Sequence, residues 1–226
     1  KHSLSFTALL KVPLRGMARS LKLNRDIFIR SLFLQLCFAF MTYYGGILGD
    51  VTLAANAVLL NFLLLVSFAL DGIAYAVEAK VGQAKGRKKA LAIHLWVVIG
   101  RFWAFAFACL YSLVFIVFGS IIIGLLTDLP DVLSTAENYL IWSILLPPIA
   151  SFCFLYDGVF VGLTRAKEMR NTMIFSALVG FAGVFAVSYQ WGNHGLWLAM
   201  SCFMALRGLT LAKKYHDAWR SRQLLQ

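Results

Sequence analysis

Charge is scarce in this chain, where only 14% of residues are Asp, Glu, Lys or Arg against about 25% in soluble domains. That shortage excludes a water-soluble fold, because hydrophobic residues make up 61% of the sequence and mean hydropathy is +0.78. Acidic residues are the rarer sign, ten against 21 basic ones. Cysteine is confined to Cys37, Cys109, Cys153 and Cys202, each inside an apolar run and at no metal-ligand spacing. This argues against a disulfide framework or a metal centre and leaves packed thiols. The sequence lacks a Gly-rich phosphate loop, paired metal-ligand histidines and a nucleophile elbow, so it is read as a non-enzyme with no cofactor. Repeats with a period of about 20–50 residues are also missing, which excludes a solenoid. No basic helix face or aromatic-basic platform occurs outside the loops, so the net charge of +11 points to anionic lipid headgroups and not to nucleic acid.

What is present is a series of six apolar stretches, at residues 27–48, 53–79, 97–126, 139–163, 172–189 and 196–212. Most match the ~20 residues a bilayer requires; the third is longer, which predicts tilt or an interfacial start. All 21 Lys and Arg fall on one side of a membrane drawn through these stretches, with Lys80, Lys85, Arg87, Lys88 and Lys89 the densest cluster. Cytoplasmic loops retain such charge, so the sequence predicts an all-α, six-span membrane protein with both ends inside the cell. Loops on the other side are short, and the one holding Asp128, Asp131 and Glu137 carries only negative charge.

Three regions follow. Residues 1–26 form a basic amphipathic linker on the cytoplasmic face, interrupted near Pro13; residues 27–213 form the bundle; residues 214–226 form a cytoplasmic tail. The chain opens on Lys1-His2-Ser3 without a secretory n-region and reads as the interior of a longer polypeptide. Pro147-Pro148 deprives the carbonyls of Ser143 and Ile144 of helical donors, which predicts a kink or opening in the fourth span. Ser176, Gly180 and Gly183 allow close helix approach in the fifth. His94 is expected as a solvated loop residue, and Tyr43-Tyr44-Gly45-Gly46 as interface belt and close packing.

Acidic groups inside the spans carry the functional signal, since a charge at mid-membrane costs at least about 2.5–3.5 kcal/mol. Asp71, Tyr75 and Glu78 follow i, i+4, i+7 spacing and so share one stripe of the second helix, rising about 10 Å. Such a stripe can line a wet cavity whose carboxyls take up protons. Glu78 has an equal alternative as a salt-bridge partner of Lys80 or another basic residue of the inner loops, and Asp157 as a partner of Arg30, Arg101 or Arg207. Gln35, Asn56 and Asn61 are weaker candidates, because an amide within a span often only joins two helices. Leu70-Asp71-Gly72-Ile73 and Tyr156-Asp157-Gly158-Val159 form a faint echo at similar depths.

Several runs resemble the second half of multidrug and toxic-compound extrusion (MATE) transporters, and within them the DinF-like branch. They are Asn24-Arg25-Asp26-Ile27-Phe28-Ile29-Arg30-Ser31, Leu34-Gln35-Leu36-Cys37-Phe38, Ala55-Asn56-Ala57-Val58-Leu59, and Thr164-Arg165-Ala166-Lys167-Glu168-Met169-Arg170-Asn171. The most specific runs from Ala69-Leu70-Asp71-Gly72 through Tyr75 and Glu78 to Gly82-Gln83-Ala84. The resemblance implies one six-helix lobe of a twelve-helix antiporter that works by alternating access, driven by inward flow of H+ or Na+. It implies small amphipathic or cationic organic substrates, and membrane lipids and an N-terminal lobe as partners. Asp71, Tyr75, Glu78 and Asp157 would line the cavity. Where another branch has a cation-binding glutamate this chain has Gln35, whose amide takes up no proton, and in the DinF-like branch the main proton site belongs to the N-terminal lobe. The competing classes are a six-helix channel and a non-transporting membrane scaffold.

Overall fold

The computed structural model describes residues 14–225, with side chains from Leu21 onward. Pro13 and the start of the expected amphipathic linker lie outside the described residues. Six long helices follow one another: α1 Leu14–Ile47, α2 Asp50–Gly86, α3 Ala90–Leu126, α4 Pro130–Gly162, α5 Ala166–Trp191 and α6 Asn193–Arg220. All six contain an apolar window long enough to cross a membrane, and the chain is a multi-pass helical membrane protein. The helices outrun the apolar stretches chiefly at the end that carries the basic turns. There α2 continues past residue 79 to Gly86, and α3 starts before residue 97 at Ala90. Backbone hydrogen bonding favours continuing the helix through polar sequence until a turn residue stops it. For the same reason α1 runs unbroken from Leu14 through residue 27, where the sequence placed a boundary between linker and span.

At the basic end, three helices stop in one way. After α2, α4 and α6 the residues Lys88, Thr164 and Arg222 adopt left-handed backbone, at φ 54°, 55° and 57°. The next amide then donates back to a carbonyl of the last turn: Lys89 to Ala84, Arg165 to Phe160 and Gln223 to Ala218, each at 2.9 Å. This pattern satisfies carbonyls that the helix end would leave orphaned. Lys85 reinforces the second stop, its Nζ donating to the Leu163 carbonyl at 2.6 Å and to Thr164 Oγ1 at 3.1 Å. At the acidic end the connections are tighter. Gly49 (φ 119°) joins α1 to α2 and Gly192 (φ 56°) joins α5 to α6. Pro130 opens α4 at a position where its missing N–H costs nothing.

α4 is the hub, packed on α2, α3 and α6. It is close to α2 because Gly158 and Gly162 face backbone: a Cβ on Gly158 would lie 2.5 Å from the Ala74 carbonyl oxygen, and one on Gly162 2.6 Å from that of Glu78. The two members of the Asp-Gly echo therefore differ, because Gly72 has open space where Gly158 has a neighbouring helix. Gly180 brings α5 against α6, where a Cβ on it would lie 3.1 Å from Phe203 Cα, as expected. Phe40 and Tyr44 of α1 meet Phe185 of α5 edge-on, at 5.1 and 4.7 Å between ring centroids.

Two local expectations need correction. The Pro147-Pro148 pair does not open α4, whose helix runs from Pro130 to Gly162 without a break. One of the two freed carbonyls, that of Ile144, instead accepts a 2.7 Å hydrogen bond from Ser112 Oγ on α3. Such side-chain donors let proline sit inside a membrane helix. His94 is not a loop residue but belongs to α3. Its ring stacks on Trp219 at 4.3 Å and its Nδ1 lies 3.2 Å from the Tyr215 hydroxyl, tying the start of α3 to the end of α6. Within the fifth span, Ser176–Gly183 widens into a π-helical segment. The four cysteines are free, with Cys37 and Cys153 buried.

Candidate cation and substrate cavity

A cavity of about 590 Å³ lies among α1, α2, α4 and α6. One wall is the α2 stripe. Asn61, Leu64, Ser67, Asp71, Tyr75 and Glu78 recur every three or four residues, and all of them line the space. Helical periodicity alone places them there, because the buried face of α2, with Leu59, Phe62, Val66, Leu70 and Val77, is committed to the core. Asp71 and Glu78 are partly exposed and Tyr75 is 66% exposed, so these side chains present polar groups to the cavity. Gln35 of α1 faces the same space.

The opposite wall is an ion cluster drawn from three helices. Asp157 on α4 accepts hydrogen bonds at one oxygen, Oδ2, from Arg30 of α1 and from Arg207 of α6. Arg207 is only 2% exposed, and its guanidinium also lies over the Phe154 ring at 5.9 Å. Two guanidiniums on one carboxylate leave a formal excess of one positive charge in that wall. Facing it, Asp71 and Glu78 make no ion pair among the described residues. The cavity is therefore dipolar across its width, with free carboxyls on α2 and a cationic cluster on α1 and α6.

The sequence candidates thus separate. Asp71, Tyr75, Glu78, Asp157, Gln35 and Asn61 meet in one cavity. Asn56 does not line it; it is buried on another face of α2, where it exchanges two amide hydrogen bonds with Asn193 (2.7 and 2.9 Å) and accepts a third from Trp197 Nε1 at 2.8 Å. That network joins α2 to α6. Of the cations weighed for Asp157, Arg30 and Arg207 are its partners. Glu78 and Lys80 form no ion pair; Lys80 turns to the other side of α2 and lies over the Trp96 ring at 5.4 Å. Sequence reasoning missed Asp26, which is buried at 3% exposure and paired with Arg170 of α5 at 2.6 Å. Its one sequence signal was a lone acid in an otherwise basic segment. Among the described residues no group of three or more His, Cys, Asp or Glu is placed to hold a metal ion.

The fold and the cavity define a multi-pass helical membrane protein that holds charged side chains within its spans. The family comparison is specific: the MatE family model matches residues 27–185, and the chain belongs to that family. It is 46% identical over 215 residues to DNA damage-inducible protein F of Escherichia coli K12, a match covering 94% of this chain and 46% of that protein. It is 23% identical over 193 residues to "Uncharacterized transporter YisQ" of Bacillus subtilis 168, covering 82% of this chain and 41% of the relative. A "Probable multidrug resistance protein NorM" of Pseudomonas putida is 26% identical over 202 residues, covering 83% and 42%. The chain spans less than half the length of these curated relatives.

Proposed function

We propose that this chain is the C-terminal six-helix lobe of a proton-coupled efflux antiporter of a bacterial inner membrane, with both of its ends cytoplasmic. The observation that supports this reading best is the α2 stripe: Asp71, Tyr75 and Glu78 face a shared cavity, and among the described residues the ion cluster there satisfies Asp157 and leaves the stripe carboxyls unpaired. A carboxyl without a fixed cation can gain and lose a proton, and each change alters the charge seen by a bound substrate. The half-length match to the relatives favours a second lobe closing the cavity, and the word multidrug in a relative's name favours small amphipathic or cationic substrates.

In this mechanism the ionised stripe attracts a cationic substrate from the cytoplasmic side, and protonation from the outer side removes the attraction and releases it. Alternating access of the two lobes exposes the same carboxyls to each side in turn. The test uses the transporter containing this chain, reconstituted in vesicles with an imposed proton or sodium gradient. Asp71→Asn keeps the size of the side chain and removes its titration. Efflux driven by a proton gradient is expected to fall at least tenfold, and the pH dependence of substrate binding is expected to flatten. Unchanged efflux with an unchanged pH profile would make Asp71 a structural residue, and drive by sodium alone would replace the proton as coupling ion.

A further inference from the structure

On the side of α2 away from the transport cavity, a second space of about 440 Å³ lies between α2 and α3. Its walls are two facing stripes: Gly72, Ala76 and Lys80 of α2, and Trp96, Trp103 and Phe107 of α3. Among the described residues no acidic one lines it. Between residues 69 and 80 the groove runs about 16 Å at 1.5 Å per residue, which is about half of a ~30 Å hydrocarbon core. It therefore extends from one membrane surface to the midplane. Its floor is closed by close packing, since a Cβ on Gly100 would lie 2.5 Å from Val77 Cγ2, whereas Gly72 has nothing within 4 Å of such an atom. The missing side chain at Gly72 keeps the groove open.

Charge defines the mouth. Lys80 makes no ion pair among the described residues and is held 5.4 Å over the Trp96 ring, at the end of the groove nearest the basic turn. Arg87, Lys88 and Lys89 follow on that turn, all exposed. A tryptophan and a lysine at this depth sit where a bilayer presents its headgroups. We infer that this groove is a binding site for one phospholipid with a net negative headgroup, its acyl chain between α2 and α3 and its phosphate on Lys80. Length, apolar lining and one-signed charge at one end together fit that molecule, and the inference does not depend on the transport reading.

Native mass spectrometry of the purified protein in detergent tests the site, with phosphatidylglycerol and phosphatidylcholine of identical acyl chains titrated separately. The protein is expected to retain one tightly held phosphatidylglycerol and to prefer it over phosphatidylcholine by about fivefold, the effect of one basic residue at a membrane surface. Lys80→Gln should bring the two lipids to equal retention. Gly72→Leu, whose Cβ enters open space and whose side chain then occupies the groove, should lose the retained lipid of either kind while its thermal melt stays at the parent value. Ala76→Leu supplies the same blockade if Gly72→Leu does not fold. Undiminished retention in the filled groove, or a headgroup preference indifferent to Lys80→Gln, overturns the site. So does a photo-crosslinker at Ala76 that captures protein and not lipid, since the groove would then be a protein docking face.

Discussion

Asp157 is the residue on which the cavity wall depends, and Asp157→Asn isolates its charge from its shape. The asparagine occupies the same volume and still accepts a hydrogen bond, but it leaves Arg207, 2% exposed, and Arg30 without a counter-charge. Breaking a buried ion pair by removing one partner costs about 3–5 kcal/mol, because the remaining charge stays out of water. For a chain of this length each kcal/mol lowers Tm by about 2–4 °C, so the variant should melt about 6–20 °C below the parent. With exposed Cys109 and half-buried Cys202 replaced by Ser, the remaining thiols of Cys37 and Cys153 are buried, so a thiol-reactive dye labels them only as the bundle opens. The control is Asp157→Asn combined with Arg207→Met, which removes both buried charges and should recover most of the loss, as apolar replacement of a buried pair often does. Equal melting of Asp157→Asn and parent would refute the argument, as would a double variant no more stable than the single one.

Four further outcomes follow from the packing and the charge pattern. Asn56→Ala should cost about 2–5 kcal/mol in the same dye assay, because it strands the buried donors of Asn193 and Trp197; a loss below that of an ordinary surface substitution would mean the network is not formed. Gly158→Ala should destabilise by about 1–3 kcal/mol as its methyl presses on the Ala74 carbonyl, whereas Gly72→Ala should be neutral or stabilising; matching effects at the two sites would contradict the helix spacing. Lys88→Gly should stabilise by about 1 kcal/mol by relieving its left-handed backbone, and a drop in Tm would show that the side chain does more than end α2. Single cysteines at exposed Asp131 and Gln190 should react with an impermeant thiol reagent from outside intact cells, and those at Lys88 and Lys167 should not; labelling of Lys88 from outside would end the six-span topology. Asn193 is unsuitable for this purpose, being buried against Asn56.

Membrane residence and the number and order of the spans were legible in composition, because a helix that crosses a bilayer satisfies its own backbone and needs a predominantly apolar stretch of about 20 residues. The α2 stripe was legible too, since Asp71, Tyr75 and Glu78 lie on one helix and share a face by spacing alone. Helix ends were read less well. Hydropathy marks where lipid stops, but α2 and α3 continue into polar sequence until Lys88 turns the chain, and nothing in the local pattern marks a lysine for left-handed backbone.

Tertiary structure alone decided which polar groups meet. Arg30, Asp157 and Arg207 are separated by 127 and 50 positions and lie on three helices, so their convergence depends on how α1, α4 and α6 rotate and approach. The sequence left Arg101 as an equal partner for Asp157. It likewise offered Asn56 as a cavity candidate, and only the position of α6 turned it toward Asn193 and Trp197. Pro147-Pro148 was read as a kink or an opening, and the helix does not open because a compensating donor, Ser112, lies on another helix. The division has one physical origin: a single helix determines the direction of its own side chains by its 3.6-residue period, whereas partners across helices depend on close approach set by Gly158, Gly162 and Gly180.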